Sequence, residues 1–270
     1  MDNKIPKVIH YCWFGKKPLP EEYKKNIENW KKKMPDYKII QWDETNYNYK
    51  KIKFTEEAYK EKKWAFVTDY ARLDIIYNNG GIYLDTDVQV IKSFDELLDN
   101  EAFMGIENGN YVNTGLGFGA VKKQRGIKLN KEIYEKMSVY DNNGKIKLIN
   151  CPKITTEMLL KNGAKINGKI EKVLGITIYP IEYFCPMNYY TGEINITDKC
   201  FSIHKYSMSW GDKISKKQIE FERKVVKRIG VKNTKIISRI MFFPIKFINS
   251  IKNNGILFSL NEYWRKIKRG

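Results

Sequence analysis

The stretch Phe66-Val-Thr-Asp-Tyr-Ala-Arg-Leu-Asp-Ile-Ile-Tyr-Asn-Asn-Gly-Gly-Ile-Tyr-Leu-Asp-Thr-Asp87 reads as a helix, a stop signal and a strand in direct succession. Phe66, Tyr70, Leu73 and Tyr77 recur at helical spacing and predict a helix over about 65–78, and Gly80-Gly81 stand where a helix C-cap belongs. Ile82 to Val88 then reads as a strand. Asp85 and Asp87 lie two apart at the end of the apolar triplet Ile82-Tyr83-Leu84. Two carboxylates at the exit of a buried strand are costly to desolvate unless a cation satisfies them. A hard divalent metal bound to substrate phosphates does this, whereas a solvated turn accounts for an isolated D-x-D equally well. Asp69 and Arg72, at i and i+3, share a helix face and either present an acceptor and a planar donor to one pocket or pair with each other.

Outward from this core, Lys7 to Phe14 is a β-branched and aromatic run that stops at Gly15, with Pro18 and Pro20 beyond it. Tyr23, Ile27, Trp30 and Met34 predict a helix over 21–33, ended by Pro35, and Tyr37 to Trp42 predicts a second strand. A β-α-β opening of this kind is typical of a parallel, nucleotide-binding sheet, so the chain is expected to be α/β. Further strands are expected around 102–106, 115–121 and 177–180, helices around 127–137 and 155–161, and surface loops at 107–113 and 141–150. Gly115, Gly117 and Gly119 alternate and leave one strand face bare, open to close approach by a ligand or another chain segment, or simply tightly packed.

Three motifs in order resemble glycosyltransferase family 32: Ile5 to Gly15, the 66–87 stretch, and Thr177-Ile-Tyr-Pro180 with Ser202-Ile-His-Lys-Tyr-Ser-Met-Ser-Trp210. The family takes in capsular-polysaccharide transferases and yeast mannosyltransferases, and is similar to the catalytic domain of the clostridial glucosylating toxins. The resemblance implies a GT-A, Rossmann-like nucleotide-sugar-binding fold in which the D-x-D holds Mn²⁺ or Mg²⁺ against a nucleotide diphosphate-sugar, a UDP-sugar first among them. It places Trp13 on the nucleotide base, with the backbone around Tyr11 to Phe14 lining the pocket. Asp69 and Arg72 would grip sugar and ribose or phosphate groups, and Tyr83 would pack beside the nucleotide. Asp85 would face ribose and metal, Asp87 would bind metal more directly, and Asn113 would stand near the acceptor. For the third metal contact His204 is the choice, because imidazole suits transition metals and a histidine after a short apolar strand is easily oriented. The family often has His-His where this chain has His204-Lys205; that departure leaves His204 between metal and phosphate, and Lys205 as an alternative partner for diphosphate charge. Ser209 and Trp210 would close over the diphosphate. The family retains anomeric configuration and acts on glycan or lipid-linked saccharide acceptors; a protein acceptor, as in the toxins, is the alternative.

The chain has 270 residues, 42% of them hydrophobic, enough to bury a core, and a formal net charge of +18. Residues 211–270 hold +12 of this charge and residues 1–210 only +6, which suggests a catalytic domain over 1–210 and a basic tail over 211–270. A nucleic-acid-binding protein is disfavoured because the excess lies in the tail and no recognition signature accompanies it. A haloacid-dehalogenase-type phosphatase is disfavoured because Gln89 stands where its motif needs Thr or Val. Cys12, Cys151, Cys185 and Cys200 show neither zinc-site nor disulfide-framework spacing. With no signal-peptide core and no apolar run near the roughly 20 residues that span a bilayer, a cytoplasmic protein is expected, either free or peripheral on the inner face of the cell membrane. In the tail, Ile214, Phe221, Val225 and Ile229 form one helical face, and after a break at Gly230, Ile237, Ile240, Met241, Phe247, Ile248 and Ile251 form another, with a kink expected at Pro244. Such basic amphipathic helices lie on anionic bilayers, bind partners or pack on their own domain.

Overall fold

The computed structural model describes residues 4–147, 149–207, 213–256 and 260. It divides into two compact units, Met1–Met187 with Ile194–Tyr206, and Asn188–Glu193 with Ser207–Gly270.

The first unit runs β1 Val8–Cys12, α1 Glu21–Lys33, β2 Lys38–Trp42, α2 Lys53–Lys60, α3 Trp64–Asn79, β3 Gly81–Tyr83 and β4 Val88–Val90. It continues with β5 Ala102–Glu107, β6 Tyr111–Asn113, β7 Phe118–Ala120, α4 Arg125–Glu135, α5 Cys151–Lys161, β8 Glu171–Val173, β9 Ile176–Tyr179, α6 Ile181–Phe184 and β10 Ser202–His204. The main sheet has the order β2-β1-β3-β7-β5-β9-β8, with β6 on β5, while β10 and β4 form a separate two-stranded ribbon. β2, β1, β3, β5 and β9 run one way and β7, β6 and β8 the other. The parallel register Val8↔Lys38 to Cys12↔Trp42 closes the expected β-α-β unit.

Strand periodicity divides the core into two layers. Cys12, Tyr83, Ala102, Met104, Ile176 and Ile178 pack on one face with α3, α4 and α5; Ile9, Tyr11, Ile82, Leu84 and Phe103 pack on the other with α1 and Phe184. On α1 the expected stripe Tyr23, Ile27, Trp30 and Met34 is buried throughout. On α3 burial extends well past a stripe: Val67, Asp69 to Ile76 are all buried, whereas Phe66 and Tyr77 are half-buried. A helix enclosed between α2, α4 and the sheet is buried nearly all round, and periodicity alone does not reveal that.

Several boundaries differ from the sequence expectation. The strand expected over 82–88 ends at Tyr83, because Val88 N–H turns back to Asp85 O (3.0 Å) and β4 leaves to pair with β10. The D-x-D is therefore the turn at which the chain changes sheets. The loop expected at 107–113 includes the end of β5 and all of β6. The strand expected over 115–121 shortens to β7, since Gly115 belongs to the turn before it.

The second unit is dominated by one helical stretch, α7 Lys213–Asn254, interrupted at Gly230 (φ 74°, ψ 164°), where the break was expected. Helical backbone angles continue through Pro244, where a kink was expected. Ser238 Oγ donates to Glu222 (2.5 Å) and Phe221 meets Phe242 (5.9 Å between rings), so the segment after Gly230 folds back along the one before it.

Candidate active site

The parallel strands β1 and β3 deliver their carboxyl-terminal ends to one edge of the sheet, the usual place for a ligand in an α/β sheet. Leu84 N–H extends the pairing to His10 O (3.0 Å), so Trp13 leaves β1 and Asp85 leaves β3 along the same edge.

Behind that edge α3 projects Arg72 and Asp69. Arg72 is buried, and its guanidinium donates to Asp69 Oδ1 (2.9 Å) and lies 3.5 Å from Asp85 Oδ1. It also reaches Thr114 Oγ1 (3.5 Å) and stands over the Tyr83 ring, 5.2 Å from its centroid. Tyr83 donates its hydroxyl to Asp85 Oδ1 (2.9 Å). Burial pushes Asp69 up to about 6 against the opposing pull of Arg72, and raises Asp85 in the same way. Burial also works against the charge on Arg72, but Asp85 and Asp69 outweigh it and leave the guanidinium firmly protonated. The cluster is thus one fixed cation between two carboxylates, an arrangement that is costly to disrupt one member at a time.

The β4–β10 ribbon supplies the rest. Its register Val88↔His204 sets His204 beside Asp87, with Nε2 3.2 Å from Oδ1. Ligand atoms of Asp85, Asp87 and His204 lie within 4.8 Å of one another. Burial lowers the His204 pKa, yet Asp87, Asp85 and Glu107 together raise it to about 8. His204 Nδ1 is buried and has no hydrogen-bond partner among the described residues. Two carboxylates and one imidazole are a donor set that fits a divalent transition ion, whose remaining positions would fall to phosphate or water oxygens. Binding would require His204 to give up its proton.

The D-x-D turn is held from α1. Asn26 Nδ2 donates to Thr86 O (2.7 Å), Trp30 Nε1 to Val88 O (2.9 Å), and Asn29 Oδ1 accepts from Val90 N (2.9 Å). Lys205 reaches Asn26 Oδ1 at 3.4 Å. On the opposite side Asn113 Oδ1 accepts from Gly115 N (2.6 Å) while its amide donates to Glu107 Oε2 (2.8 Å), which also receives the Tyr206 hydroxyl (3.4 Å). A Cβ on Gly115 would collide with Asp85 Oδ2 and stand 3.1 Å from Arg72 Nη1, so here the bare face lets the chain approach its own carboxylate. At Gly119 it admits the Phe103 ring.

Of the residues singled out from the sequence, Asp69, Arg72, Tyr83, Asp85, Asp87 and His204 are in one cluster, with Asn113 joined to it through Gly115. Trp13 is half-buried at the strand exit, donating to Lys17 O (2.7 Å) and lying against Tyr23. The side chains of Tyr11 and Phe14 face inward, Tyr11 to Trp30 and Gln41 and Phe14 to Tyr47, which leaves their backbone for the site edge. Ser209 and Trp210 lie outside the described residues. Sequence reasoning missed Glu107, Asn26 and Trp30 as parts of the site. Glu107 did carry a signal, an acid closing the apolar run Ala102 to Ile106, the same pattern that exposed Asp85. The four cysteines are free and buried, and burial raises the Cys151 thiol beside Arg72, so it is no thiolate nucleophile.

Residues 20–104, which contain α3 and the D-x-D, match the family described as glycosyltransferase sugar-binding region containing DXD motif. Over this stretch the chain is similar to DXD-type, family 32-like glycosyltransferases. Its sheet is mixed, with helices packed against both faces. The chain is 26% identical over 229 residues to an uncharacterized glycosyltransferase of Acanthamoeba polyphaga mimivirus, covering 82% of this chain and 89% of that one. It is 30% identical over 109 residues to inositol phosphoceramide mannosyltransferase 1 of Schizosaccharomyces pombe, covering 38% of this chain and 34% of that one. Among solved structures it is similar to the PaToxG glycosyltransferase (TM-score 0.44, 20% identity, 58% of this chain and 69% of that one). It is also similar to the galactosyltransferase LgtC in complex with donor and acceptor sugar analogues (TM-score 0.41, 15% identity, 82% of this chain and 95% of that one).

Proposed function

We propose that this chain is a glycosyltransferase that moves a hexose or related sugar from a nucleotide diphosphate-sugar, a UDP-sugar foremost, to a glycan or lipid-linked saccharide in bacterial surface polysaccharide synthesis. The observation that carries the reading is the convergence of Asp85, Asp87 and His204 within 4.8 Å, backed by the buried Arg72. In this reading residues 1–210 are the catalytic part and 211–270 a basic tail, and the work is done at the inner face of the cell membrane, where a lipid-linked acceptor is met.

Asp85, Asp87 and His204 would hold Mn²⁺ or Mg²⁺, which when bound supplies Lewis-acid stabilisation of the departing diphosphate. Asp69 and Arg72 are buried and paired at 2.9 Å, which suits them to orienting the donor sugar and its ribose or phosphate oxygens. Trp13, Tyr83 and the backbone of Tyr11 and Phe14 would meet the nucleotide, and Ser209 and Trp210 would close over the diphosphate. Asn113, fixed by Glu107 and Gly115, would face the acceptor.

During transfer the bond from the anomeric carbon to the diphosphate oxygen breaks with its electron pair on the leaving group, and the acceptor oxygen bonds the same carbon. The acceptor's proton passes to the departing diphosphate, so displacement on one face retains configuration. Arg72 and Lys205 oppose the negative charge that accumulates on the diphosphate. The test is a panel of nucleotide-sugars with Mn²⁺, followed by hydrolysis and thermal shift, with Asp87→Ala as control. Metal-dependent turnover that survives Asp87→Ala would refute the assignment. A protein acceptor is the second reading, and sugar incorporation into protein rather than glycan would favour it.

A further inference from the structure

We infer that the helical segment after Gly230 is a docking surface for an anionic bilayer, lying in the plane of the headgroups. The inference deepens the membrane placement in the reading above, yet stands on the second unit alone and is independent of donor and metal. Thr234 and Ser238 are buried, and Ser238 and Phe242 meet Glu222 and Phe221 of the preceding segment, which fixes the inward face of this helix. The opposite face is apolar and open to solvent. Ile237, Ile240, Met241 and Ile248 recur at intervals of three, four and seven residues, flanked by Ile236 and Phe243, and all six are exposed, Ile240 at 68% and Ile248 at 54%. Large apolar side chains gathered on one exposed face mark an interaction surface, unlike the scattered single ones that any soluble protein shows.

Charge selects the occupant. Lys232, Lys235, Arg239 and Lys246 line the border between the inward and the apolar faces, and no Asp or Glu occurs between Gly230 and Gly255. An apolar face bordered by cations matches acyl chains beneath anionic headgroups, where each cation near the surface adds attraction. A second copy of the chain is a poor match, since a two-fold pairing of this face would set lysine against lysine with no acid between them. Nucleic acid is a poor match because the centre of the face is aliphatic. No helix among the described residues is long and apolar enough to cross a membrane, so the contact is interfacial.

The test is flotation of the full chain with phosphatidylcholine vesicles, plain or containing about a third phosphatidylglycerol. Binding to the anionic vesicles is expected to exceed binding to the neutral ones by about tenfold or more, and to weaken steeply with salt. Ile240→Glu with Ile248→Glu should lower anionic-vesicle binding by about tenfold or more, while helicity and donor-sugar hydrolysis stay at wild-type levels and report an intact fold. Equal binding to both vesicle types overturns the inference, as does a variant that floats like wild type. A wild-type dimer that this double variant splits assigns the face to a second copy instead. Failure in vesicles with hydrolysis intact leaves the transferase reading standing, and the reverse holds as well.

Discussion

Gly115→Ala isolates the geometry of the D-x-D from the stability of the fold. A Cβ at this position would overlap Asp85 Oδ2 and crowd Arg72 Nη1 and Asn113 Oδ1, both at 3.1 Å. The backbone of Gly115 lies outside the left-handed region, so alanine meets no conformational penalty there and the whole effect falls on its neighbours. Arg72 is enclosed by Asp69, Thr114 and Tyr83, whereas Asp85 is partly open, so Asp85 is the group that yields, by about 1 Å to restore ordinary contact. A displacement of about 1 Å in a reacting assembly costs about 100-fold in kcat/KM, or about 3 kcal/mol in the barrier. The assay is donor hydrolysis at saturating Mn²⁺, normalised to folded protein. Gly126→Ala is the matched control: its Cβ meets Ile176 Cδ1 at 2.5 Å in the core, so it should lower the Tm and leave kcat/KM per folded molecule unchanged. Gly115→Ala within about threefold of wild type, at an unchanged Tm, would show that Asp85 need not hold its place and would sink the argument.

Mn²⁺ at about 100 times its Kd should raise the wild-type Tm by about 5–10 °C, and Asp87→Ala should abolish that rise in a thermal-shift scan. Asn26→Ala removes the donor to Thr86 O and should cost about 1–3 kcal/mol of stability in denaturant unfolding, with a fall in kcat because Thr86 lies between the two site aspartates. Glu107→Gln keeps an acceptor for Asn113 and should retain most activity, whereas Glu107→Ala frees the Asn113 amide and should lower kcat about tenfold; equal losses would show that charge matters more than position. His10 accepts from Trp42 Nε1 at Nδ1 (3.0 Å), so Nε2 carries the proton towards Gly80 O (3.1 Å), and burial depresses its pKa to about 4. The neutral ring therefore contributes stability that is fully present above the unfolded value of about 6.5 and is lost as pH falls towards 4, by up to about 3 kcal/mol. Unfolding free energies of wild type and His10→Gln should converge by that amount over this window, and parallel curves would exclude His10 as the source.

Much of the site was legible because its signals are local. The i, i+3 spacing of Asp69 and Arg72, the helix stop at Gly80-Gly81 and the acids after Ile82-Tyr83-Leu84 all lie within 22 residues and report through helical and strand periodicity. His204 was found more indirectly, as one of two histidines in the chain, placed after a short apolar strand in a motif shared with the family. Where local pattern had to predict which side of an element faces what, it failed. Asn26 hides in the buried stripe of an amphipathic helix, and Glu107 lies in what reads as a loop.

By itself the sequence determined that the chain is α/β, which segment carries the paired acids, where the tail breaks and where the excess charge lies. Tertiary structure alone decided that the chain leaves one sheet for another at the D-x-D, so that β10 returns across more than a hundred residues to set His204 on Asp87. It also decided that α1, more than fifty residues upstream, ties down the turn between the two aspartates. Periodicity is a property of neighbours along the chain, whereas a cation site needs opposite ends of the chain brought together. That pairing is settled by which strand edges remain free once the core has packed.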